Sequence, residues 1–189
     1  MKKPTPLIIV LCLLLLHSTL FAQSVSFALK TSPNANFVFD TINKYQNGIT
    51  IPSLLTLKVE AVGTQWDLYV GTSTAVGGFF DINTAYGTSG ISAVPVSILQ
   101  ARVSNASRTS PLNNSFFNLT DILVPQYLIG SSALDAAATC PALGTNTAGS
   151  YTSQPQCYTF KVDLKATPGL TYTAGSYSLR VDFVLMQDL

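Results

Sequence analysis

Three observations place this chain in the all-β class, as an antiparallel β-sandwich of immunoglobulin-like or pilin-like kind. Short runs of alternating apolar and polar residues recur along it. Turns rich in Gly, Pro and Asn separate them. No stretch carries a long apolar stripe at helical spacing. The clearest run is the last, where Tyr177, Leu179, Val181, Phe183 and Leu185 alternate with Ser178, Arg180 and Asp182. A period of two with β-branched and aromatic residues marks a strand buried on one face.

The elements follow in chain order. Ser24 to Lys30 alternates Val25, Phe27 and Leu29 and reads as a first strand. Asn36 to Thr41, with Phe37, Val38 and Phe39, reads as a second, and Asn47-Gly48 as a turn. Leu55 to Val62 sets Leu55, Leu57, Val59 and Ala61 against Thr56, Lys58 and Glu60. Gly63-Thr64 then leads into Trp66, Leu68 and Val70, which predicts a hairpin. Phe79-Phe80 is a short apolar piece, and Tyr86 to Ser92 a Gly-rich loop. Val94 to Val103 predicts a strand, Asn105 to Asn118 a polar loop, and Leu119 to Ile129 a strand broken at Pro125. Ser132 to Ala138 is compatible with a turn or two of helix. Cys157 to Ala166 alternates Tyr158, Phe160, Val162 and Leu164, and its length suits pairing with Tyr177 to Leu185.

The first 22 residues read as a signal peptide. Lys2 and Lys3 form a charged start, and Leu7 to Leu16 an apolar stretch too short for a bilayer core of about 30 Å. Leu20-Phe21-Ala22 offers a cut before Gln23, so residues 23–189 form one exported domain with no transmembrane segment after processing. The expected location is the periplasm, the outer cell surface or the extracellular space.

Cys12 leaves with the signal peptide, and the remaining pair, Cys140 and Cys157, predicts one disulfide. It would stabilise the Gly-, Thr- and Pro-rich loop between them by about 3 kcal/mol.

Charge is sparse and balanced: ten Lys and Arg, two of them in the signal peptide, oppose nine Asp and Glu, with no block of either sign. This argues against a nucleic-acid partner.

The chemistry of catalysis is thin. The single His, His17, lies in the signal peptide, which removes the usual Ser-His-Asp, Cys-His and imidazole–zinc arrangements. Glu60 sits on the polar face of a strand, and Asp40, Asp67 and Asp81 read as turn or surface residues rather than paired catalytic carboxylates. The expectation is therefore no enzyme, no cofactor and no metal. Asp81-Ile-Asn83 offers oxygen ligands of the kind calcium takes, but an Asx turn explains it more simply. Trp66, alternating with Leu68 and Val70, reads as core rather than as a sugar-stacking face. Tyr86, Tyr127, Tyr151 and Tyr172 fall in or beside loops, where exposed aromatics meet partners. Asn105-Ala-Ser107, Asn113-Asn-Ser115 and Asn118-Leu-Thr120 fit the glycosylation pattern, read here as a coincidence of an Asn- and Ser-rich loop.

Three segments carry a family resemblance: Phe37 to Ile51 (FVFDTINKYQNGITI), Leu55 to Val70 (LTLKVEAVGTQWDLYV) and Thr173 to Phe183 (TAGSYSLRVDF). The closing pattern resembles spore coat U and fimbrial-subunit-like domains. The middle pattern is similar to small secreted proteins of Bacteroidetes-type bacteria. The resemblance implies a β-sandwich whose motifs fix turns and core positions and transfer no catalytic residues. It admits two roles for Ser24 to Lys30, an arm that completes a neighbouring subunit or the first strand of a complete domain.

The resulting expectation is a secreted or cell-surface structural or adhesive protein, assembling with itself or related surface subunits by β-strand addition. The edge candidates are the terminal strands, through Val25, Phe27, Leu29, Tyr177, Leu179, Val181, Phe183 and Leu185. The alternative is a non-catalytic carbohydrate- or ligand-binding module.

Overall fold

The computed structural model describes residues 23–31, 34–104, 115–129 and 146–188. The expected signal peptide, Cys140, the expected helix Ser132 to Ala138 and the first two glycosylation patterns lie wholly or partly outside these residues.

Within them the chain is all-β with antiparallel sheets. The strands are β1 (Ser24–Thr31), β2 (Ile49–Val62), β3 (Gln65–Ser73), β4 (Asp81–Ala85), β5 (Leu99–Ser104), β6 (Phe117–Asn118), β7 (Gln126–Ile129), β8 (Gly149–Ser150), β9 (Thr159–Ala166), β10 (Gly175–Ser178) and β11 (Arg180–Asp188). Two short helices, α1 (Ile42–Asn47) and α2 (Pro155–Tyr158), join them. The larger sheet runs β1-β2-β9-β5-β6, with β8 also on β2. A second runs β11-β3-β7, and β4 pairs with β10. No helix among the described residues is long and apolar enough to cross a membrane.

One core joins the two larger sheets. It takes Leu57, Val59 and Ala61 from β2, Trp66, Leu68 and Val70 from β3, Leu99, Ala101 and Val103 from β5, and Phe160, Val162, Leu164 and Ala166 from β9. These are the alternate residues of each strand, as a one-faced sheet requires. Trp66 is fully buried, its ring against Tyr158 and Phe160, and its indole N–H donates to the Thr147 carbonyl at 3.0 Å.

Several strand expectations change. The predicted hairpin of Leu55–Val62 with Trp66–Val70 does not form. Gly63 turns the chain at φ +66°, but β2 and β3 belong to different sheets. Both strands still place their apolar residues in the same core, so the pattern fits either arrangement. Likewise β9 pairs with β2 and β5 rather than with the C-terminal strand, which pairs with β3.

That last strand is itself two. Ser178 pairs with Asp81 of β4 and Arg180 with Ser73 of β3, so the chain changes sheets at Leu179, which stays packed on the core. The predicted strand at Asn36–Thr41 is irregular chain without a ladder partner up to Asp40. Phe37 and Phe39 pack on the core while Val38 is exposed, so the alternation records burial and not pairing. In the Val94–Val103 segment, Pro95 precedes a 3₁₀ turn at Val96–Ile98, and the strand starts only at Leu99.

Helix α1 begins where Thr41 caps it, its hydroxyl accepting from the Lys44 N–H at 3.4 Å, and Asp40 pairs with Lys44 at 2.7 Å. Gly48 ends it at φ +78°. A Cβ there would also lie 2.6 Å from the Ala166 carbonyl oxygen, so both backbone and space require glycine.

Candidate functional site

The terminal strands occupy sheet edges. β1 is the outermost strand beside β2, and β11 the outermost beside β3. The two pass close to one another, so both edges lie on the same side of the core. β1 is eight residues long and β11 nine; among the described residues the opposite edges, β6 and β7, have two and four.

The candidate residues map onto these edges as follows. β1 pairs with the chain's own β2 in the register Val25↔Ala61, Phe27↔Val59 and Leu29↔Leu57, opposite three buried core residues. Val25 packs against the core. Val181, Phe183 and Leu185 of β11 also pack on the core, opposite Thr72, Val70 and Leu68. Tyr177 sits apart on β10. Its hydroxyl donates to the Thr173 carbonyl at 2.5 Å, and burial, then Tyr45, raises its pKa. The structure thus separates Tyr177 from the β11 residues. Cys157 is buried in α2, and its expected partner Cys140 lies outside the described residues.

On the outer face of the β11-β3-β7 sheet, Tyr69 and Tyr127 meet with ring centroids 4.2 Å apart. The Tyr69 hydroxyl lies 2.8 Å from that of Tyr127 and 3.2 Å from an Asp67 carboxylate oxygen. Asp67 is buried and Tyr127 is 43% exposed. Burial is the first reason the Tyr69 phenol is held well above its ordinary pKa. The bond to Tyr127 and the charge of Asp67 add to it. Sequence reading singled out Tyr127 but missed Tyr69, which stands between Leu68 and Val70 on the outward face of β3. Its outward position was the available signal.

Other marked residues have structural partners. Asp81 and Asn83 lie in β4 rather than in an Asx turn: Asp81 accepts from the Ala75 N–H at 2.8 Å and Asn83 from the Ser178 hydroxyl at 3.1 Å. Tyr151 lies under Lys58. Tyr172 bridges to Ile91, and Tyr86 is 73% exposed.

A buried ionic site on the larger sheet was not foreseen. Asp163 of β9, 7% exposed, accepts from the Ser53 N–H at 2.7 Å and from Arg102 Nε and Nη2 at 2.9 and 2.5 Å. Ser53 lies where the β2–β9 register shifts, with φ +48°. The carboxylate therefore holds a bulge in a left-handed conformation that a serine adopts only at a cost. Arg102 in turn covers the Phe116 ring at 4.8 Å.

No protein-family model matches the chain, and no curated protein matches it.

Proposed function

We propose that this chain is an exported β-sandwich, stapled by a Cys140–Cys157 disulfide, with a structural or adhesive role at the cell surface or outside it. It joins to further copies, or to related subunits, by strand addition along its terminal-strand side. One observation carries this reading: among the described residues the two longest sheet edges, β1 and β11, lie together. Proteins blunt edges they do not use, with short strands or charges. On β1 the only charged residue is Lys30. An exposed row of backbone donors and acceptors then supplies affinity, and alternate side chains supply register.

The test is size-exclusion chromatography with light scattering on residues 23–189, beside variants that blunt each edge from its outer face. Ser26→Lys with Ala28→Lys tests β1, and Val184→Lys with Met186→Lys tests β11. Outer-face pairs are used because Phe27 lies opposite the buried Val59 in register, where Phe27→Asp would not separate assembly from folding. Concentration-dependent oligomers that fall apart in either variant support the reading. A wild-type monomer at every concentration refutes it.

A further inference from the structure

Folding gathers charge that the sequence disperses. The residues of the larger sheet that point away from the core include Lys58 of β2, Arg102 of β5, and Lys161 and Lys165 of β9. Lys30 of β1 lies opposite Thr56 in register. Among the described residues only Glu60 and Asp163 oppose them there, and Asp163 is buried against Arg102. The other described cations, Lys44 and Arg180, each sit against a carboxylate elsewhere. Asp67, Asp81, Asp121 and Asp182 all lie off this sheet, on β3, on β4, in the turn before Leu123 and on β11 respectively. A nearly neutral chain therefore presents one basic sheet face.

The layout of that face is regular. Strand register aligns Lys30, Thr56, Lys161 and Ser104 in one row across four strands. It aligns Thr50, Lys165, Gln100 and Asn118 in another. The row between them is closed by the Arg102–Asp163 pair. Lys161 and Lys165 are four positions apart on one strand, a separation of about 13 Å. Across the neighbouring strands each lies opposite hydroxyl or amide residues, Thr56 and Ser104 for Lys161, Thr50 and Gln100 for Lys165. The nearby rings are occupied: Phe116 lies beneath Arg102 and Lys165, and Tyr151 beneath Lys58.

We propose that this outer face binds a linear acidic polysaccharide. Its carboxylates would meet Lys161 and Lys165, and its hydroxyls the Thr, Ser and Gln side chains beside them. Charge complementarity sets the sign of the ligand, and the spacing sets its class. Duplex nucleic acid carries a charge every ~1.7 Å of its axis and is held by many close-set cations. Single strands need open aromatic faces on which bases stack. Sparse cations among neutral hydrogen-bonding groups match a chain of hydroxyl-rich sugars with occasional carboxylates. The face is complete in one copy, so this inference does not rest on assembly.

The experiment measures binding of residues 23–189 to polygalacturonate at low and at moderate salt, with neutral dextran and single-stranded DNA alongside. Polygalacturonate should bind, more weakly as salt rises, and dextran should not. Lys161→Glu with Lys165→Glu should reduce affinity by about tenfold or more, while Lys161→Arg with Lys165→Arg retains it. Lys44→Glu, off the face, should leave it unchanged. Thermal unfolding of each variant separates lost binding from lost fold, and the arginine pair keeps the test valid if the glutamate pair unfolds. Absence of polygalacturonate binding overturns the proposal. So does tighter binding to DNA, or undiminished affinity in a folded glutamate variant.

Discussion

Asp163→Asn tests how the larger sheet is held. The carboxylate accepts on both oxygens, from the Ser53 N–H on one and from Arg102 on the other. An asparagine of the same shape has one oxygen and one NH2 group, so in either orientation a donor faces a donor. Losing the part-buried bond from the Ser53 amide to a charged acceptor costs about 1.5–3 kcal/mol. The Arg102 side chain is 39% exposed, so water screens its share, and the pair adds only about 0.2–1 kcal/mol. The expected destabilisation is about 3 kcal/mol, or a fall in Tm of about 6–12 °C for a domain of this size. Urea unfolding followed by Trp66 fluorescence measures it. A second substitution isolates the cause. Ser53→Gly removes the left-handed penalty, about 1–2 kcal/mol in a non-glycine residue, and should recover part of the loss in the Asp163→Asn background. Asp163→Asn within about 0.5 kcal/mol of wild type, the range of an ordinary surface substitution, would refute the reasoning.

Further outcomes follow from the same geometry. Tyr69 is held protonated above its ordinary pKa, first by burial. A raised folded pKa contributes stability that is complete below the unfolded value of about 10 and is lost as pH rises beyond it. Stability should therefore fall in alkali, and less so in Tyr69→Phe; equal slopes in the two proteins would count against the Asp67–Tyr69–Tyr127 arrangement. Trp66 is fully buried, so acrylamide should quench its fluorescence only on unfolding, and ready quenching of the folded protein would contradict the core. Gly48→Ala should lower Tm, because the added Cβ meets both a φ of +78° and the Ala166 carbonyl; an unchanged Tm would mean that the α1–β9 approach is looser. Under the disulfide proposal, reduction should cost about 3 kcal/mol, and thiol labelling of the unfolded, unreduced protein should find no reactive Cys157.

The sequence was most legible where burial alone sets the pattern. The inward rows of β2, β3, β9 and β11 stand in the text as Leu57-Val59-Ala61, Trp66-Leu68-Val70, Phe160-Val162-Leu164 and Val181-Phe183-Leu185, and each packs on the core. Pairing was far less legible. An alternating run states which side chains are inside but not which strand lies beside it, as Phe37 and Phe39 show by alternating in a segment with no ladder partner. The hairpin expected at Gly63 failed for the same reason, since a tight turn can join strands of one sheet or carry the chain across to another. The Ser53 bulge was invisible because its cause, Asp163, lies far along the chain. The basic face was hidden similarly. Lys58, Lys161 and Lys165 each sit on the polar side of a recognised strand, and only the β2–β9–β5 order brings those sides together.

The passage from β2 into one sheet and β3 into the other also governs when this chain can fold. Neighbouring strands such as β1 and β2 pair within the larger sheet, but neither sheet is completed locally: β2 must wait for β9, and β3 for β11. The pairings that close the core span most of the described length, so loop-closure entropy is met before most contacts form, and folding is correspondingly slow. A chain emerging from its N-terminal end cannot consolidate piece by piece. Trp66, Leu68 and Val70 stay without their β11 neighbours until residues 180–188 have been delivered, and the molecule then closes in one late step.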